Sequence, residues 1–252
     1  MKVKSILAAL LLIVAGVQTA MAQKMIVTLN DNSKVTYSIS QVKEVSFVES
    51  EEHEYVDLGL PSGTLWATCN IGANSPEEYG DYFAWGETTP KSTYDWSTYK
   101  WCNGSSTTMT KYYTQSEYGY NGFTDNLTEL QPTDDAATAN WGSDWQMPSL
   151  AQIQELCSSS NTTTEWTQVN GVNGRKITSK SNGNSIFLPA AGYRYGTSLY
   201  SAGSYGYYWS RSLYAGDAYN AYYLYFLSDY IGWNYGYRRF GQSVRPVRVL
   251  TR

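Results

Sequence analysis

The sequence predicts an α+β protein made mostly of antiparallel hairpins, with short capped helices and long loops between them. Three observations lead there. Short runs alternate between apolar or aromatic and polar residues, bounded by Gly, Pro, Asn and Ser. Serine-initiated capping boxes introduce brief helical patterns. Between Tyr193 and Arg248, less than a quarter of the chain carries more than half of its 24 tyrosines, where a packed core would use Leu, Ile and Val.

Length and charge set the outer bounds. A chain of 252 residues is long enough to bury a real core, as one large domain with a small appendage. A net charge of -4 lacks the basic footprint of a nucleic-acid binder, so no nucleic-acid partner is expected. Residues 1–22 read as a secretory signal peptide: Lys2 and Lys4 precede an apolar segment from Leu7 to Val17, and Ala20-Met21-Ala22 offers a cleavage site before Gln23. Export to the cell surface, the exterior or the periplasm follows, with no further apolar run that could span a membrane.

Residues 23–50 alternate around Asn30-Asp31-Asn32 (Ile26, Thr28, then Val35, Tyr37, Ile39, Val45, Phe47) and predict two or three short strands. So small a β segment does not fold alone. It is expected to dock on the main domain or to offer residues 24–48 to a strand-mediated partner. Residues 51–54 read as an acidic linker, and 55–252 as the main domain.

Within that domain, Tyr55-Val56-Asp57 and Thr64-Leu65-Trp66-Ala67 flank a Pro61-Ser62-Gly63 turn and form an opening hairpin. Ser75-Pro76-Glu77-Glu78 is a capping box that predicts a short helix stopped by Gly80. Asp81 to Glu87 reads as a strand, and Thr88 to Thr133 as a long polar loop dotted with aromatics, of a kind usually functional. Asp134 to Asn140 has an acidic helix start. Ser149-Leu150-Ala151-Gln152 is a second capping box, after which Leu150, Ile153, Leu156 and Cys157 share a helical face. Lys176–Lys180 and Ser185–Pro189 form a hairpin around Ser181–Asn184. Further strands fall around Tyr207–Leu213, Ala221–Leu227 and Ser243–Val249, the last an edge because of Pro246.

The tyrosines between Tyr193 and Arg248 are interleaved with Gly, Ser, Asn, Asp and Ala. That mixture is the composition of a binding surface, in which rigid amphipathic rings stand among small hydrogen-bonding residues. The competing reading is that tyrosine simply covers a β-sheet, where aromatics are favoured.

Conventional reactive groups are sparse. Cys69, Cys102 and Cys157 are odd in number, so at most one internal disulfide can form, and no pair has metal-ligand spacing. The single histidine, His53, lies among acids. Adjacent Asp134 and Asp135 could serve acid–base chemistry, but acids at a helix start are more often caps. No catalytic residue, metal or cofactor is expected.

The motifs Tyr55-Val56-Asp57-Leu58-Gly59-Leu60-Pro61-Ser62-Gly63-Thr64-Leu65-Trp66-Ala67, Tyr82-Phe83-Ala84-Trp85-Gly86-Glu87, Trp145-Gln146-Met147-Pro148, Leu188-Pro189-Ala190-Ala191-Gly192-Tyr193-Arg194, Tyr208-Trp209-Ser210 and Ser243-Val244-Arg245-Pro246-Val247 resemble, in content and order, the Fibrobacter succinogenes major paralogous domain family. The resemblance spans roughly Tyr55 to Val249. It implies a C-type lectin-like fold: antiparallel sheets with two helices and long inserted loops. It implies a fold more than an activity.

The C-terminal segment is also similar to the variable region of proteins encoded with diversity-generating retroelements, where adenine-directed mutagenesis of Asn codons yields Tyr, Asn, Ser, Asp, Ala, Gly and Phe. Apart from Trp209 and Trp233, Leu199 to Gly241 contains no Lys, Gln, Glu, Met or Trp. The likeness implies display positions at Tyr200, Tyr205, Tyr207, Tyr214, Asp217, Tyr219, Tyr223, Tyr225, Tyr230, Tyr235 and Tyr237, with Leu227 and Ile231 also diversified. Trp209, Trp233, Leu224, Phe226, Val244 and Val247 are then scaffold inside the sheet, and Gly203, Gly206 and Gly232 sit at turns.

The function expected is an exported, non-catalytic protein whose tyrosine face binds a protein or glycan on another cell or surface. A structural or tip subunit of a surface filament is the alternative. A calcium-dependent lectin fits less well, because Gln131-Pro132-Thr133-Asp134 and Trp233-Asn234-Tyr235 depart from the lectin motifs. A formylglycine-generating type of enzyme also fits less well, because every cysteine precedes the tyrosine-rich segment.

Overall fold

The structure, a computed structural model, describes residues 24–28, 33–41 and 53–249. The signal segment, the Asn30-Asp31-Asn32 turn, the strand expected around Val45 and Phe47, and Glu51-Glu52 of the linker lie outside the described residues. The chain divides into two units, Met1–Ser50 and Glu51–Arg252.

In the first unit, β1 (Lys24–Thr28) pairs antiparallel with β2 (Lys34–Ser38). The register sets Met25 opposite Tyr37 and Val27 opposite Val35, so these four apolar side chains share one face. Val27, Val35 and Tyr37 are all exposed.

The second unit runs β3 (Tyr55–Asp57), β4 (Thr64–Ala67), α1 (Ala136–Trp141), α2 (Leu150–Cys157), β5 (Thr162–Val169), β6 (Val172–Ser179), β7 (Ser185–Pro189), β8 (Tyr193–Tyr195), β9 (Ser198–Tyr200), β10 (Gly206–Leu213), β11 (Asn220–Phe226), β12 (Ile231–Tyr237) and β13 (Val247–Val249). The strands make small antiparallel sheets: β13-β4-β3, β5-β6-β7, β10-β11-β12 and the pair β8-β9.

This corrects the expected class. The fold is β-rich, a set of small antiparallel sheets, and not the α+β, C-type lectin-like arrangement. The two α-helices among the described residues hold only six and eight residues. α1 stops at Gly142, whose φ of 93° suits glycine. The first capping box forms no helix. Glu78 does reach back, accepting from Asn74 N–H at 2.7 Å, but Gly80 follows at φ 67° and the segment stays a turn. Asp81–Glu87 is no strand either; only Phe83 pairs, in a single bridge to Gln242.

Where local chemistry was complete, the element forms. The Ser149 hydroxyl accepts from Gln152 N–H at 3.2 Å, and Gln152 Oε1 accepts from Ser149 N–H at 2.8 Å. α2 then buries Ile153 and Leu156.

The β10-β11-β12 sheet carries core on both faces. Alternation along a strand sends neighbours to opposite sides. Tyr208, Leu224 and Phe226 enter one core with Ile153, Leu156, Leu188 and Val247. Trp209, Leu213, Ala221 and Tyr223 enter the other with Phe83, Trp85, Tyr112 and Val244. Indole N–H groups tie the second core together: Trp209 donates to the Phe83 carbonyl at 2.9 Å and Trp85 to the Ser210 carbonyl at 2.8 Å.

Two fully buried arginines brace the last segment. Arg238 donates to the carbonyls of Lys111, Tyr112 and Ala218 and to the Tyr99 hydroxyl at 2.8–3.0 Å. Arg245 donates to the carbonyls of Ala67 and Thr68 and to Asn70 Oδ1. Burial lowers the pKa of Arg245 to about 10. Each guanidinium thus satisfies carbonyls of distant loops that would otherwise be buried without donors.

Candidate ligand-binding surface

Strand alternation and two β-turns collect the tyrosines into a connected run of rings. Tyr207 on β10 stands across from Tyr225 on β11, their ring centres 5.2 Å apart. Tyr207 also meets Tyr193 at 5.1 Å, Tyr223 at 5.6 Å and Tyr205 at 6.3 Å. From Tyr225 the run continues to Tyr230 at 6.0 Å. From Tyr193 it continues through Phe240 to Tyr237, and by a stack at 5.6 Å to Tyr200. Tyr237 touches Tyr219 and Trp96. Most of these pairs are edge-on or tilted, the arrangements aromatic quadrupoles favour.

Exposure grades along the run. Tyr230 is 49% exposed, and Tyr200 and Tyr237 are also exposed, whereas Tyr205, Tyr207 and Tyr225 are half-buried. Burial, then repulsion from the neighbouring phenols Tyr225 and Tyr223, pushes the Tyr207 hydroxyl well above its usual range. Burial does the same to Tyr223, raised to about 12. Both of these phenols therefore remain protonated at physiological pH, able to stack and to donate or accept a hydrogen bond.

Of the eleven display positions, the run gathers Tyr200, Tyr205, Tyr207, Tyr219, Tyr225, Tyr230 and Tyr237. Four stand elsewhere or serve otherwise. Tyr214 and Tyr235 make their own stack, centres 3.8 Å apart and 7° from parallel, flanked by Tyr222. Asp217 shapes the β10–β11 connection: its N–H donates to the Tyr214 carbonyl and its carbonyl accepts from Asn220. Tyr223 is only 9% exposed and packs on Trp209 at 5.7 Å, so it supports the run instead of being displayed.

The scaffold also differs from expectation. Trp209, Leu224, Phe226, Val244 and Val247 are buried, but Trp233 is 45% exposed. It lies opposite Leu224 on the edge strand β12, beyond the core filled by Leu224 and the half-buried Ile231. Leu227 is half-buried. Gly203 occupies a turn, while Gly206 opens β10 and Gly232 lies within β12. Gly232 has a specific use. A Cβ there would stand 2.3 Å from the Tyr230 hydroxyl, so the missing side chain is what lets Tyr230 lie across the strand.

Sequence reasoning missed Arg239 and Trp96. The Arg239 guanidinium lies 4.7 Å from the Tyr195 ring centre, 5.3 Å from Phe240, and 5.4 Å from both Trp96 and Tyr237. Asp95 accepts from it at 3.3 Å. Both arginines sit in the turn that follows β12, where Arg238 is buried and Arg239 stays half-buried against these rings; the Arg238-Arg239 doublet itself was the signal the sequence offered. Trp96 arrives from the long polar loop.

Groups with other potential chemistry are engaged. Asp135 caps α1, accepting from Ala137, Thr138 and Met147 N–H, and burial raises its pKa. Asp134 accepts from Lys111 Nζ and the Tyr112 hydroxyl, both at 2.6 Å. His53 stacks on Trp141 at 3.7 Å. The three cysteines are free thiols, and burial pushes Cys157 up to about 12. Among the described residues no cluster of three or more His, Cys, Asp or Glu could hold a metal ion, and no helix is long and apolar enough to cross a membrane.

Residues 162–247 match the family model of a domain of unknown function (DUF8237). The match runs from β5 into β13 and so contains nearly all of the aromatic run. No curated protein and no solved structure matches the chain.

Proposed function

We propose that this chain is an exported, non-catalytic binding protein whose ligand, a protein or glycan on another surface, lies across the ring run from Tyr230 through Tyr225 and Tyr207 to Tyr200. One observation carries the reading. These rings are contiguous and graded from half-buried to exposed, and Tyr207 and Tyr225 at their centre stand on a sheet held by core on both faces. A rigid platform of amphipathic rings loses little entropy on contact and offers hydroxyls at its rim. An exposed aromatic patch of this kind is a partner surface. The resemblance to the Fibrobacter succinogenes major paralogous domain family, and the diversification of the same segment, belong to this proposal. Neighbouring DNA with a near-identical repeat, adenines at the Tyr codons and a reverse transcriptase would support diversification; its absence would remove that part.

The direct test is a screen of the full chain against glycan and cell-surface protein arrays, repeated with Tyr225→Ala plus Tyr230→Ala. Binding should drop at least about tenfold, as for central aromatic anchors, with the melting temperature little changed. Unchanged binding would refute the assignment.

A second reading, a structural or tip subunit of a surface filament, has its own support in the first unit. The β1–β2 hairpin presents Val27, Val35 and Tyr37 on one exposed face, and a two-stranded hairpin is marginal alone. Removing residues 24–41 should abolish incorporation into such an assembly while leaving array binding intact.

A further inference from the structure

A concave site lies on the outer face of the β5-β6-β7 sheet, lined by none of the rings of the run and independent of the function proposed for it. The cleft has a volume of about 320 Å³. Val56 of β3, Pro76, Val169 at the end of β5 and Phe187 of β7 form its walls and floor; Ile186 also borders it, but its side chain turns into the core on the other face of the sheet. Phe187 is buried to 7% exposure yet belongs to neither hydrophobic core. Its ring lies against Gly174, where a Cβ would stand 2.4 Å from Phe187 Cζ. Glycine at that point is what lets the aromatic floor lie flat on the sheet.

One charge borders this apolar hollow. Lys176 lines it, directly opposite Phe187 in the β6–β7 register and hence on the same face of the sheet. Among the described residues Lys176 makes no ion pair or side-chain hydrogen bond, not even with its cross-strand neighbour Glu165. The acid beside Pro76, Glu77, is held instead by the Asn170 side-chain amide at 2.6 Å, and that bond lowers its pKa. Ser185 adds a hydroxyl at the same rim. Apolar walls with an unpartnered ammonium at the edge complement a molecule with an apolar body and one anionic head. The volume is at the lower end of small-molecule sites, which fits a compact molecule and not a polymer.

We propose that this cleft binds a small monocarboxylate with an alkyl or aryl body, its carboxylate on Lys176 and its apolar part over Phe187. The test is an amide NMR titration of the full chain with three probes of one shape: hexanoate, hexanol and hexylamine. Hexanoate should shift the Val169, Ile186 and Phe187 amides saturably. Hexanol should bind about tenfold more weakly, the loss of one charge-assisted hydrogen bond, and hexylamine more weakly still. Lys176→Gln, at an exposed position, should bring hexanoate down to the level of hexanol. Equal affinity for the three probes, unchanged hexanoate affinity in Lys176→Gln, or shifts confined to Tyr225 and Tyr230 would each overturn the proposal.

Discussion

Asp95 and Arg239 are 144 positions apart in the chain, and Asp95 Oδ1 accepts from Arg239 Nη1 at 3.3 Å. The same oxygen accepts from Trp96 N–H at 2.6 Å as the cap of a one-turn 3-10 helix. One carboxylate thus positions both the guanidinium and an indole that lies 5.4 Å from it. Arg239→Ala should therefore weaken ligand binding about tenfold, because the Tyr195, Tyr237 and Phe240 rings lose their shared cation. Stability should fall by no more than about 1 kcal/mol, as for a partly exposed ion pair. Denaturant midpoints beside array affinities separate the two effects.

Arg238, the adjacent residue, should behave in the opposite way. It is fully buried and supplies donors to three backbone carbonyls. Arg238→Ala leaves those carbonyls without donors and opens a cavity beside Trp85. A loss above about 3 kcal/mol is expected from unsatisfied buried groups together with lost packing. Urea unfolding of the variant measures it, and a loss below about 1 kcal/mol would show that water replaces the guanidinium.

Gly232→Ala isolates the ring surface from the fold. The new Cβ would meet the Tyr230 hydroxyl at 2.3 Å, the far end of an exposed side chain that can swing away. Stability should change by under about 1 kcal/mol. Affinity for the array ligand should fall several-fold, because Tyr230 no longer lies along the run.

The buried acids fix an alkaline limit. Burial raises Tyr223 from 10.0 to about 12 and Cys157 from 9.0 to about 12. In both, the folded state holds its proton more tightly than the unfolded chain does. Their contribution is complete below pH 9 and is lost as pH rises through 9 to 12. Equilibrium unfolding should thus show stability level through neutral pH and declining across that window. Tyr223→Phe and Cys157→Ala should each flatten the decline.

What could be read from sequence was what local hydrogen bonding decides. Ser149 and Gln152 complete a capping box within three residues, and α2 follows. The Ser75 box has the same spelling but meets Gly80 after one turn, so spelling alone misled there. The tyrosine-rich segment was legible as an unusual composition, and seven of the eleven expected positions lie in one run of rings. Whether a given ring faces out depends on packing across the sheet, which the spacing of tyrosines does not encode. Tyr223 is covered because Trp209 stands beside it, and Trp233 is bare because the core ends at Leu224 and Ile231. Arg239 needed knowledge of where Arg238 is anchored, at Tyr99, Lys111 and Tyr112 in the long loop as well as at nearby Ala218. The fold class went astray for a related reason: the motifs carried the expected helices, but the chain grants them only six and eight residues.

A ligand lying across the tyrosine run shields its phenols, so residue-resolved tyrosine nitration read by mass spectrometry, with and without the tightest array ligand, is decisive. Tyr200, Tyr225 and Tyr230 should be protected by ligand, while Tyr55 and Tyr120, exposed outside the run, should react at unchanged rates. Equal reactivity of Tyr200, Tyr225 and Tyr230 with and without ligand, or protection of Tyr55 and Tyr120 in their place, would contradict it.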